Sequence, residues 1–147
     1  MNIVEWITTV GDTSKLSSNL KILFILTNFI YFLPIILYGV NDASVISCLI
    51  GIISTVYHSF QCNCHHSNSS KIMICVDSLV SITLFSYLIY KMHTKLPIKW
   101  YVVLVFTIMI YFLGSNKRGC HLYTFIHSLW HILSGCLLVY AASIYDQ

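Results

Sequence analysis

Five apolar runs take up most of this sequence, and nothing else in it narrows the fold so far. Leu20–Tyr38, Ala43–Phe60, Ile72–Tyr90, Trp100–Leu113 and Leu122–Ile144 each approach the ~20 residues that a helix needs to cross a bilayer. The breaks between them are Gly39–Asp42, Gln61–Lys71, Lys91–Lys99 with Pro97, and Gly114–His121, each carrying the turn-forming or charged residues expected at a water boundary. The fourth run is short and extends through Lys99 if that side chain snorkels. Pro34 falls inside the first run and should kink it, which packed neighbours in a membrane tolerate. The expected fold is therefore all-α, a multi-pass transmembrane helical bundle of about five spans. Residues 1–19 form a polar or interfacial N-terminal segment, and residues 20–147 a single transmembrane domain.

Composition supports this. The chain is 57% hydrophobic and 9% charged, whereas globular proteins carry roughly 25% charged residues, so the polar surface of a soluble domain is missing. The net charge of +3 is scattered over short connections, with no basic stripe and hence no footprint for nucleic acid. Residues 1–19 include Glu5 and Asp12 and lack a basic start, unlike a cleavable signal peptide. Cys48, Cys75 and Cys136 lie in apolar runs and Cys62, Cys64 and Cys120 in expected loops, so the six cysteines do not establish an oxidising compartment. Trp6, Trp100 and several tyrosines suit interfacial anchors.

Five spans place the N-terminus and the Gln61–Lys71 break on one side of the bilayer and the C-terminus on the other. The first side holds Lys15, Lys21, Lys71, Lys117 and Arg118, and the second Lys91, Lys95 and Lys99, which favours the first as cytoplasmic. Ser54, His58, Asp77, His127 and His131 then come from three spans to a similar depth, roughly 3–14 Å below that first boundary at 1.5 Å per residue. Ser54-Thr-Val-Tyr-His58 and His127-Ser-Leu-Trp-His131 are i,i+4 pairs that share a helix face. Two such imidazoles can bind one metal, and a third from a facing helix completes a three-histidine zinc site with its fourth position open. Neither motif carries weight alone in a chain with seven histidines. Their combination does, because ionisable groups in a bilayer core are costly and functional by default. Cys62-Asn-Cys64-His65-His66 also offers ligand chemistry, but its Cys-x-Cys spacing is not that of a zinc ribbon. It stands as a candidate second site or as plain loop.

Ser54-x-x-x-His58, Asp77 on the next span and His127-Ser-Leu-Trp-His131 on the last resemble the CREST superfamily: alkaline ceramidases, progestin and adipoQ receptors and myomaker-like membrane proteins. The wording is nearest the myomaker-like branch, over about residues 51–87 and 121–137, roughly a third of the chain. The resemblance implies Zn2+ on His58, His127 and His131, Asp77 holding or deprotonating a metal-bound water, and Ser54 hydrogen-bonding that water or the developing oxyanion. It implies a hydrolase acting on a lipid amide or ester bond, with membrane lipid as substrate. Members normally have seven spans, so this chain is a shortened form, and the two absent spans would remove walls of the lipid cavity. A homo-oligomer could supply them. Two alternatives stay open: a non-catalytic structural, receptor-like or fusion-related membrane protein with a structural zinc, and haem between facing histidines.

Overall fold

The computed structural model describes residues 11–63, 67–113 and 119–145. Among these, all regular structure is helical. The first span, Ser18–Tyr38, is built from α1 (Ser18–Leu26), a 3-10 segment over Thr27–Phe32, and α2 (Leu33–Tyr38). It is followed by α3 (Asp42–Asn63), α4 (Asn68–Met92), α5 (Ile98–Leu113) and α6 (Cys120–Ser143). The first span, α3, α4 and α6 run to 21, 22, 25 and 24 residues and are apolar enough to cross a membrane, while α5 is a shorter apolar helix of 16. This is a multi-pass helical bundle with four helices long enough to span and a shorter fifth helix of roughly 24 Å.

Local chemistry explains the helix limits. Pro34 lies in the first turn of α2, where its missing N–H costs nothing; the chain approaches it through a 3-10 segment rather than a continuous α-helix. Gly39 ends α2 with φ 72°, a conformation open to glycine at no steric cost. Ser67 caps α4 by accepting from the Ser70 amide at 3.1 Å. That cap starts α4 four residues before the apolar run at Ile72, and α3 continues to Asn63. Gln61–Asn63 and Asn68–Lys71 of the expected Gln61–Lys71 break therefore belong to helices, and Gln61 and Cys62 are buried.

The ends of the bundle agree with alternating spans. At one end the Thr13 hydroxyl donates to the Gln61 carbonyl at 3.0 Å and Gln61 Nε2 donates to Tyr123 Oη at 2.9 Å. At the other end Asn41 donates to the Ala142 carbonyl, Lys95 to the Tyr145 carbonyl, and the Tyr145 hydroxyl to Asp42. Residues 11–16 belong to the packed bundle: Thr13 and Leu16 are buried, and a Cβ on Gly11 would lie 2.1 Å from the Tyr123 ring. Trp100, expected as an interfacial anchor, is 3% exposed and donates to the Leu137 carbonyl at 3.2 Å. It belongs to the apolar core with Leu88, Met92, Leu138 and Ala141, whereas Trp6, Lys117 and Arg118 lie outside the described residues.

Two close approaches bring the first span into the groove between α3 and α6. A Cβ on Gly51 would stand 2.8 Å from Tyr31 Cβ, and one on Gly135 2.4 Å from Ile30 Cγ2. Small residues at such crossings let membrane helices pack backbone to backbone. The 3-10 segment occupies that space, which turns Tyr31 inward to 1% exposure.

Candidate metal centre

His58 on α3 and His127 and His131 on α6 meet at one point. One ligand nitrogen of each lies within 4.8 Å of the other two, and all three rings are buried. Ring centroids are 5.0 Å apart for His58 and His127, 4.9 Å for His58 and His131, and 4.7 Å for His127 and His131. The i,i+4 spacing puts both α6 histidines on the face that packs against α3. Phe24 of α1 closes over the group, 4.6 Å from the His58 ring and 5.8 Å from that of His127.

The nitrogens suit a metal ion. His58 Nε2 and His131 Nε2 are 3.0 Å apart, and tetrahedral bonds of 2.0–2.1 Å set ligand nitrogens about 3.3 Å apart. His127 Nε2 is buried with no hydrogen-bond partner, a cost of about 1–3 kcal/mol unless something binds there. The outer ring nitrogens are anchored: His58 Nδ1 lies 2.7 Å from Gln61 Oε1, and His131 Nδ1 3.3 Å from the Tyr31 hydroxyl, itself 2.6 Å from Ser134 Oγ. Ligating histidines are held this way, with the second nitrogen bonded to a fixed partner. The residues present can therefore hold a metal ion.

Asp77 and Ser54 form a second group rather than further ligands. The Ser54 hydroxyl lies within hydrogen-bonding reach of the Asp77 carboxyl, without a bond of ordinary geometry between them. Ser54 Oγ and Asp77 Oδ1 are both buried without a hydrogen-bond partner, as is Tyr57 Oη. Tyr31, Tyr57 and Tyr111 lie within electrostatic reach of the carboxyl. Counted from the helix ends at Asn63, Asn68 and Cys120, the five expected site residues lie roughly 8–17 Å into the bundle.

Other sequence candidates fall elsewhere. Cys62 is buried beside Thr13 and Cys120, and both cysteines are free thiols, not loop residues; Cys64, His65 and His66 lie outside the described residues. His93 and His121 are exposed. Asn28, buried in the first span, donates to the Ile25 carbonyl of the same span, and its Oδ1 has no partner. Gln61, Tyr31, Ser134 and Phe24 enter the site although sequence patterns do not single them out. No protein-family model, curated protein or solved structure matches the chain.

Proposed function

We propose that this chain is a zinc-dependent membrane hydrolase of a lipid amide or ester bond, a reduced relative of the CREST superfamily. The observation that carries this reading is a buried pair at the depth of the histidines: Ser54 Oγ, one turn from His58 on α3, and the Asp77 carboxyl that neighbours it from α4. Neither Ser54 Oγ nor Asp77 Oδ1 has a hydrogen bond of ordinary geometry. A metal kept only for stability has no use for a buried carboxyl and hydroxyl so poorly satisfied, which cost free energy. A substrate would give both a partner. The ligand count among the described residues points the same way, since three protein ligands leave a position open, as catalytic rather than structural zinc sites do.

His58, His127 and His131 would hold the zinc. When bound, it would lower the pKa of a water molecule and polarise a carbonyl oxygen. Asp77 Oδ1 would accept the proton of the attacking water and return it to the leaving nitrogen or oxygen. Ser54 Oγ would donate to the carbonyl oxygen as negative charge develops there. Phe24, 1% exposed over the histidines, would exclude bulk water. A site roughly 8–17 Å below the helix ends lies where the amide or ester linkage of a bilayer lipid can reach it.

The test is zinc content and turnover in detergent-purified protein, with a fluorescent N-acyl sphingoid amide and a lysophospholipid ester as probes. Wild-type protein should hold one zinc and cleave one of them. Asp77→Asn should keep the zinc and lose turnover, and Ser54→Ala should slow it about 10²–10³-fold. Bound zinc without turnover of either linkage by the wild type would refute hydrolysis and leave a structural metal.

A further inference from the structure

We propose that Gln61 is the positioning residue of the metal centre, holding His58 as its Nδ1–H tautomer so that the Nε2 lone pair faces His127 and His131. This rests on the reading of the three histidines as metal ligands, and goes beyond it by naming what orients them.

The assignment follows from donors and acceptors alone. One side-chain atom of Gln61 lies 2.7 Å from the Gly11 carbonyl oxygen, which can only accept. That atom must be Nε2, and the amide orientation is thereby set. The atom 2.7 Å from His58 Nδ1 is then Oε1, which also can only accept. Nδ1 must carry the hydrogen, and in a neutral imidazole Nε2 is left with its lone pair. The second amide hydrogen goes to Tyr123 Oη at 2.9 Å, and the backbone carbonyl of Gln61 accepts from Thr13 at 3.0 Å. Held on four sides and 0% exposed, Gln61 cannot turn over.

His131 has no such lock. Its Nδ1 meets the Tyr31 hydroxyl, which meets the Ser134 hydroxyl, and hydroxyls donate or accept as required. Without metal, His131 can offer Nε2–H to His58 Nε2 across the 3.0 Å contact; with metal, the Tyr31 oxygen accepts from Nδ1–H instead. His58 is the fixed ligand and His131 the adaptable one.

Two substitutions separate this role from packing. Gln61→Met removes the acceptor, and Gln61→Glu keeps it, while neither can make both of the amide's donations, to Gly11 and to Tyr123. Zinc affinity of the detergent-purified full chain, measured by competition with a chromophoric chelator, should fall about 10–100-fold in Gln61→Met and stay within about threefold in Gln61→Glu. Thermal stability of the metal-free protein should fall in both. Equal affinity losses in the two variants, or none in Gln61→Met, would overturn the proposal while leaving the metal site standing. A wild type that binds no stoichiometric zinc would overturn both. If Gln61→Met does not fold, nitrogen NMR of histidine-labelled, metal-free wild type decides: a protonated Nδ1 on His58 supports the proposal and a protonated Nε2 refutes it.

Discussion

His127 differs from its two partners in that its Nε2 is buried with no hydrogen bond, whereas His58 and His131 bond each other at 3.0 Å. Removing an unsatisfied buried group relieves its desolvation penalty, about 1–3 kcal/mol. His127→Leu should therefore leave the metal-free fold as stable as the wild type or more so, and should abolish stoichiometric zinc. Thermal unfolding in chelator, paired with metal analysis, checks both; a clear loss of metal-free stability would mean that His127 holds the fold rather than a ligand. At this scale the cluster of three histidines was legible because two i,i+4 pairs in apolar runs put costly groups at one depth. Gln61 was not, since a glutamine followed by Cys-Asn-Cys-His-His looks solvated until the helix is known to run to Asn63. Tyr31 and Phe24 were hidden for the opposite reason: an aromatic in an apolar run gives no sign of which way it faces.

The 3-10 segment Thr27–Phe32 is the element that joins the first span to the site. It fits because Gly51 and Gly135 let it approach α3 and α6 to distances at which a Cβ would overlap Tyr31 or Ile30. Gly135→Val should push the segment outward and draw the Tyr31 hydroxyl away from His131 Nδ1. Overpacking of this kind costs about 1–3 kcal/mol, and zinc affinity should fall with it. Gly39→Ala is the matching control. It strains a turn with φ 72° by about 1 kcal/mol, at the other end of the bundle, and should leave zinc affinity unchanged. Unfolding curves and zinc titrations of the two variants distinguish the effects. The apolar runs announced the helices, since length and hydropathy alone require them. What they could not show was the helix ends, where polar caps such as Ser67 extend α4 beyond its apolar run, or the 3-10 geometry ahead of Pro34.

Across the whole molecule, the two ends of the bundle do different work. The end bearing Gly39, Lys95 and Tyr145 is packed with Leu88, Met92, Trp100, Leu138 and Ala141, and the other end carries the histidines, Gln61 and the docked residues 11–16. A zinc ion on His58, His127 and His131 would tie α3 to α6, so it would bind the folded bundle and not the unfolded chain. Such binding adds about 2.7 kcal/mol at a hundredfold excess over Kd, and chelation should lower the melting temperature by several degrees, reversibly on adding zinc. Leu138, 0% exposed, lies about two turns from His131, roughly 10 Å along α6. Leu138→Ala should cost about 2–5 kcal/mol through the cavity it leaves, yet keep the full zinc increment. His127→Leu should erase the increment and spare the core. Changes so far apart, with no shared partner, add to within about 0.5 kcal/mol, so the double variant should show the sum of the two single effects. A larger departure, read from melting curves with and without zinc, would mean that the metal end and the packed end form one cooperative unit, and that occupancy of the site is felt along the length of α6.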